Sequence, residues 1–87
     1  MNELDAYRNK IDEIDKKIIS LLEERLNLVL NVKEYKKENN IAVLDENREQ
    51  QVLNKVDYYT KNKVYSQLIK NTFISIMNES KDLQRKE

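Results

Sequence analysis

The stretch LDAYRNKIDEIDKKIISLLEERLNLVLNVKEYK, residues 4–36, decides the fold. Taken in sevens, Leu4, Ile11, Ile18, Arg25 and Val32 form one row, and Tyr7, Ile14, Leu21, Leu28 and Tyr35 form the row beside it. These are the a and d positions of a helical seam. No breaker interrupts them, so one helix covers about residues 4–37 and reaches on the order of 50 Å. A globule of 87 residues has a radius of gyration of only about 12 Å. The helix must therefore project from its own monomer, and a second copy packed alongside is the simplest cover for both ends. The seam thus predicts a two-fold dimer of this chain with shared cores.

Composition agrees with an all-α fold. Glycine and proline are absent, which removes the usual residues of tight turns and hairpins, and 37% of the chain is charged, much of it lysine and glutamate that favour helix. A single domain over residues 1–87 is expected at this length, close to the size at which one chain struggles to bury enough apolar surface alone. Sixteen basic and 16 acidic residues give a formal net charge of +0, so no long-range basic field gathers nucleic acid or an anionic membrane. With neither cysteine nor histidine, the chain lacks thiol nucleophiles, disulfides, the commonest general base and the usual zinc ligands. No apolar run approaches the roughly 20 residues of a membrane span, and the opening MNELDAYRNK has no signal-peptide core, so a cytoplasmic protein is expected.

Beyond the long helix, Asn39-Asn40 reads as its stop, because asparagine tolerates the left-handed conformation that closes helices. A loop over residues 41–44 follows. Asp45 then caps a second helix whose inner stripe holds Glu49, Val52, Leu53, Val56 and either Tyr59 or Thr60. The polar run Lys61-Asn62-Lys63 separates it from a third helix, with Ile69, Phe73, Ile76, Met77, Ser80, Leu83 and Gln84 inward and the tail Arg85-Lys86-Glu87 frayed.

Several polar side chains fall on these apolar stripes. Arg25 stands mid-seam, where a guanidinium that does not lose its proton is costly unless it reaches water or meets an anion. Lys36 follows three turns later on nearly the same side, making a ladder of two cations, although the helix C-terminus alone also favours a lysine there. Arg8 lies about 42 Å along the axis from Lys36. It can join the same site only from a second chain; otherwise it is a solvated arginine beside Asp5 or Asp12. Arg48 runs against the acidic preference of a first helical turn, and Glu49 faces the core side of that turn, unless the two simply form a capped, ion-paired helix start. Ser80 and Gln84 share the stripe that buries Phe73, where a serine bonded back to its own helix is the plainer alternative. Together these residues suit a small dianion bearing a hydroxyl, held by arginines and lysines. They suggest a unimolecular rearrangement driven by positioning and by stabilisation of charge developing on an oxygen.

The run over residues 4–36, LDENREQQVL at residues 44–53 and FISIMNESKDLQ at residues 73–84 resemble the all-helical chorismate mutase family over nearly the whole chain. The resemblance implies an intertwined homodimer with two shared active sites converting chorismate to prephenate on the route to phenylalanine and tyrosine, without cofactor or metal. It implies that Arg8 reaches a substrate carboxylate in the partner's site, and that Arg25, helped by Ser80, binds a carboxylate in its own. Lys36 and Gln84 resemble the pair that donates to the breaking ether oxygen. Glu49, with the backbone near Asp45, resembles the acceptor for the ring hydroxyl, and Arg48 the arginine lining the pocket. A free-standing form without a fused dehydratase, dehydrogenase or synthase domain is expected. A larger shikimate-pathway enzyme is a further partner left open. Two rivals remain at this point: an isochorismate pyruvate lyase, which shares the fold and pocket type, and a non-catalytic helical dimer or regulatory module in which Arg25 only sets register.

Overall fold

A computed structural model describes residues 2–86. Three helices follow one another: α1 over Glu3–Glu38, α2 over Glu46–Tyr59 and α3 over Ser66–Arg85, with a single 3₁₀ turn at Lys63–Tyr65 before α3. Among the described residues there is no strand, and the fold is all-α. No helix is long and apolar enough to cross a membrane.

Local chemistry sets the helix ends. Asn2 caps α1, its side chain accepting from the Asp5 N–H at 2.9 Å, and Glu3 and Asp5 place negative charge in the first turn. At the other end Asn40 adopts φ 55°, the Ile41 N–H bonds the Lys36 carbonyl at 2.8 Å and the Asn40 N–H bonds the Lys37 carbonyl at 3.4 Å. That is a Schellman closure with asparagine in glycine's usual place, so the stop read from Asn39-Asn40 holds. Asp45 caps α2 as expected, accepting from the Arg48 N–H at 3.0 Å. Asn62 caps the 3₁₀ turn through the Val64 N–H, a turn that the break at Lys61-Asn62-Lys63 did not foreshadow.

The core lies between α2 and α3. Val52, Val56 and Met77 are its buried apolar residues, with Ser80 the one buried polar side chain among the described residues. Three buried apolar side chains are too few to offset the ordering of a chain this long. Long α1 explains the shortage: none of its described residues is buried, and Ile11 and Ile14 are 54% and 55% exposed. The molecule measures 55 × 27 × 15 Å with a radius of gyration of 16.2 Å, well above the compact value for its length.

Within the chain, α1 packs on α3, and its half-buried residues Leu22, Arg25, Val29, Lys33 and Lys36 form a stripe confined to its second half. Of the two seam rows, only Arg25 belongs to that stripe. On α2, Thr60 rather than Tyr59 continues the inner face; Tyr59 is 72% exposed, while the Thr60 hydroxyl turns back to the Val56 carbonyl at 2.6 Å. The inner face of α3 is as read from the sequence. Its tail is more ordered than expected: Arg85 remains helical, the Lys86 N–H bonds the Asp82 and Leu83 carbonyls, and Lys33 donates to the Lys86 carbonyl. Glu87 lies outside the described residues.

Candidate active site

Arg25 leaves the half-buried stripe of α1 toward α3, where its Nη1 donates to Ser80 Oγ at 2.7 Å. Ser80 in turn donates to the Ile76 carbonyl one turn back, at 2.9 Å, and is only 6% exposed. The hydroxyl is thus a fixed acceptor, and it orients the guanidinium without neutralising it. Among the described residues no carboxylate pairs with Arg25. Burial lowers the Arg25 pKa from its usual value, and the nearby Arg48 cation lowers it further. Both effects act against holding the positive charge there, and an incoming anion would offset them.

Lys36 bridges from α1 to the following loop, donating to the Val43 carbonyl at 2.9 Å. This contact pins the loop and aims the ammonium inward. Arg48 and Glu49 come from the first turn of α2, held by the Asp45 cap. Glu49 Oε2 meets Lys81 Nζ of α3 at 2.9 Å. Gln84, a turn beyond Ser80, has its Oε1 buried without a donor.

These side chains converge. Arg25, Lys36, Asp45, Arg48, Glu49, Ser80 and Gln84 all line one cavity of about 280 Å³ between the three helices, walled by apolar side chains such as Val32, Val52 and Met77. Of the residues singled out in the sequence, Arg8 alone is not brought there; it lies roughly 26 Å from Arg25 along α1. Lys81 is not singled out by the sequence, and Val32 and Val52 are read there only as seam and inner-stripe residues. Lys81 shares the inward side of α3 with Ser80 and Gln84, which was the available signal, but periodicity within one helix does not reveal a carboxylate waiting on another.

A second hollow of about 640 Å³ adjoins the first, bounded by α2, the 3₁₀ turn and α3. Its lining is largely apolar, with Val56, Tyr59, Tyr65, Ile69 and Phe73. Arg25 and Arg48 border both hollows and stand between the polar cavity and this trough.

Residues 7–85 match the family described as chorismate mutase type II. The chain belongs to that family. Its membership bears out the resemblance read from residues 4–36, 44–53 and 73–84. Over 86 residues the chain is 41% identical to a bifunctional chorismate mutase/prephenate dehydratase of Buchnera aphidicola subsp. Acyrthosiphon pisum (strain APS), covering 98% of the chain and 22% of that protein. Its counterparts from the subspecies Schizaphis graminum and Baizongia pistaciae are 38% and 37% identical, again over 98% of the chain and 22% and 23% of their lengths. The chain therefore spans less than a quarter of these curated relatives.

Proposed function

We propose that this chain is a chorismate mutase domain, converting chorismate to prephenate in phenylalanine and tyrosine biosynthesis in the cytoplasm. It works as a homodimer in which each cavity is completed by Arg8 of the partner subunit. The observation that carries this reading is the convergence of Arg25, Lys36 and Arg48 on one cavity whose lining carboxylates are already engaged, Glu49 by Lys81 and Asp45 by the α2 cap. Such a site is short of negative charge, and a dicarboxylate supplies it.

The rearrangement breaks the ether carbon–oxygen bond as a new carbon–carbon bond forms, and the ether oxygen becomes the ketone oxygen of the pyruvyl group. No proton, nucleophile or redox partner is needed. What the site must do is hold a reactive conformer and meet negative charge growing on the oxygen. Arg25, oriented by Ser80, and the partner subunit's Arg8 take the two carboxylates, with Arg48 adding positive charge beside them. Lys36 and the Gln84 amide donate to the ether oxygen, and Glu49 accepts from the ring hydroxyl. The exposed apolar half of α1 supports the dimer: it matches in character the apolar trough beside the cavity, and Arg8 lies on that half.

Incubating the protein separately with chorismate and with isochorismate, and measuring prephenate and pyruvate, tests the reaction. Prephenate from chorismate is the expected product. Pyruvate from isochorismate with no prephenate from chorismate would replace the mutase with a lyase, and no turnover of either would leave a binding module.

A further inference from the structure

Lys81 has no part in the chemistry above, yet it lines the same cavity, on α3 between Ser80 and Gln84. Its ion pair with Glu49 crosses from α3 to α2, and the two side chains are only 19% and 29% exposed. On its own helix Glu49 has no cation within a turn that faces it: Asp45 and Glu46 lie a turn before, Val52 and Leu53 a turn after. The cations that could otherwise draw it are those of the cavity, Arg25, Lys36 and Arg48. A glutamate swung toward them would neutralise the charge that a dianion is meant to meet.

We propose that Lys81 is a positioning residue: it holds one oxygen of Glu49 so that the other faces the substrate hydroxyl, and it keeps that carboxylate off Arg25 and Arg48. This rests on the reading of the cavity as a chorismate site. A lysine suits the task because its ammonium can hold one carboxylate oxygen as a point charge and leave the second oxygen's lone pairs free. The pairing makes two separable contributions. Losing the orientation of Glu49 weakens hydroxyl recognition, and freeing Glu49 to neutralise the arginines weakens carboxylate binding. Both pass through Glu49, so neither survives its removal.

The test is a double-mutant cycle in the full chain, measuring kcat and KM on chorismate for Lys81→Met, Glu49→Gln and the pair, with circular dichroism and thermal unfolding for each. Lys81→Met is expected to lower kcat/KM about tenfold with the helical fold retained, and to cost less than about twofold once Glu49 is glutamine. Lys81→Arg keeps the cation but presents a fork that takes both Glu49 oxygens, so it should keep Glu49 off the arginines without freeing it for the hydroxyl, and recover only part of the loss. If Lys81→Met does not fold, Lys81→Gln is read by the same criteria. A lysine that merely ties α2 to α3 lowers the melting temperature and costs the same activity in both backgrounds; that additivity, or no loss at all, overturns the proposal. A parent chain that forms no prephenate removes the mutase reading and this proposal with it, whereas an active parent with additive variants removes only the role of Lys81.

Discussion

Along α1, residues 4–18 and residues 22–36 both repeat apolar side chains every three or four positions, but only the second run lies against the chain's own helices. There Leu22 and Val29 are half-buried, and the polar members of the stripe acquire specific partners: Arg25 finds Ser80, Lys36 finds the Val43 carbonyl and Lys33 finds the Lys86 carbonyl. In the first run Leu4, Tyr7, Ile11, Ile14 and Ile18 stay exposed, with no stripe covered by the chain itself, whereas in the second the exposed seam residues Leu28, Val32 and Tyr35 lie beside the covered stripe. An apolar row says that a surface is to be covered, not by what. Covered from within, it can host cations and become the wall of a site; left open, it is a template for another chain.

If the halves divide the work in this way, substitutions in each should move different observables. The largest effect belongs to the open half. Replacing Ile11 and Ile18 together by aspartate removes about 1.5–3 kcal/mol of burial per side chain and adds the cost of a desolvated charge at each position. Sedimentation should then show a monomer and circular dichroism a largely unfolded chain; a stable, active monomer would break the division. Next comes Lys36→Ala in the covered half, which removes a donor aimed at the ether oxygen and should lower kcat by about 10²–10³ with association intact. Turnover near that of the parent would strip Lys36 of its role.

Arg25→Leu sharpens the contrast further. It should lower kcat/KM about 10²-fold while leaving stability unchanged or raised, because it removes a cation whose burial opposes its charge. A register-setting arginine would instead show altered association with binding retained. The smallest effect concerns pH. Since the Arg25 pKa is lowered on folding, the unfolded chain binds more protons than the folded one only at strongly alkaline pH. The charge penalty is therefore fully present below that window and relieved as pH rises through it, so Arg25 contributes no slope near neutrality. The parent and Arg25→Leu should show the same dependence of melting temperature on pH between about 6 and 8, and diverging slopes there would mean that Arg25 is coupled to a group that titrates in that range.

What could be read from sequence divides by range. The α1 stop at Asn39-Asn40 and the Asp45 cap depend on a few neighbouring residues, and both stand as read. The Asn2 cap and the 3₁₀ turn at Lys63–Tyr65 were local too, but they lie outside the apolar periodicity that drew attention to the helices. Periodicity names the rows of α1 without telling that the chain itself covers the one through Leu22, Val29 and Lys36 and not the seam beside it. Cross-helix pairs were the least legible. Arg25 with Ser80 was suggested through family resemblance, and Glu49 with Lys81 not at all, since nothing in the period of one helix encodes the register of another.

A site completed by a second chain is most directly tested by subunit mixing. Arg8→Ala and Arg25→Ala variants should each be nearly inactive alone, because every site in either homodimer lacks one arginine. Unfolded together in equal amounts and refolded, they should regain about a quarter of the parent activity, since half of the dimers are then mixed and each of those holds one site with both arginines. A mixture no more active than its separate components, or an Arg8→Ala chain with full activity by itself, would show that the cavity works without its neighbour.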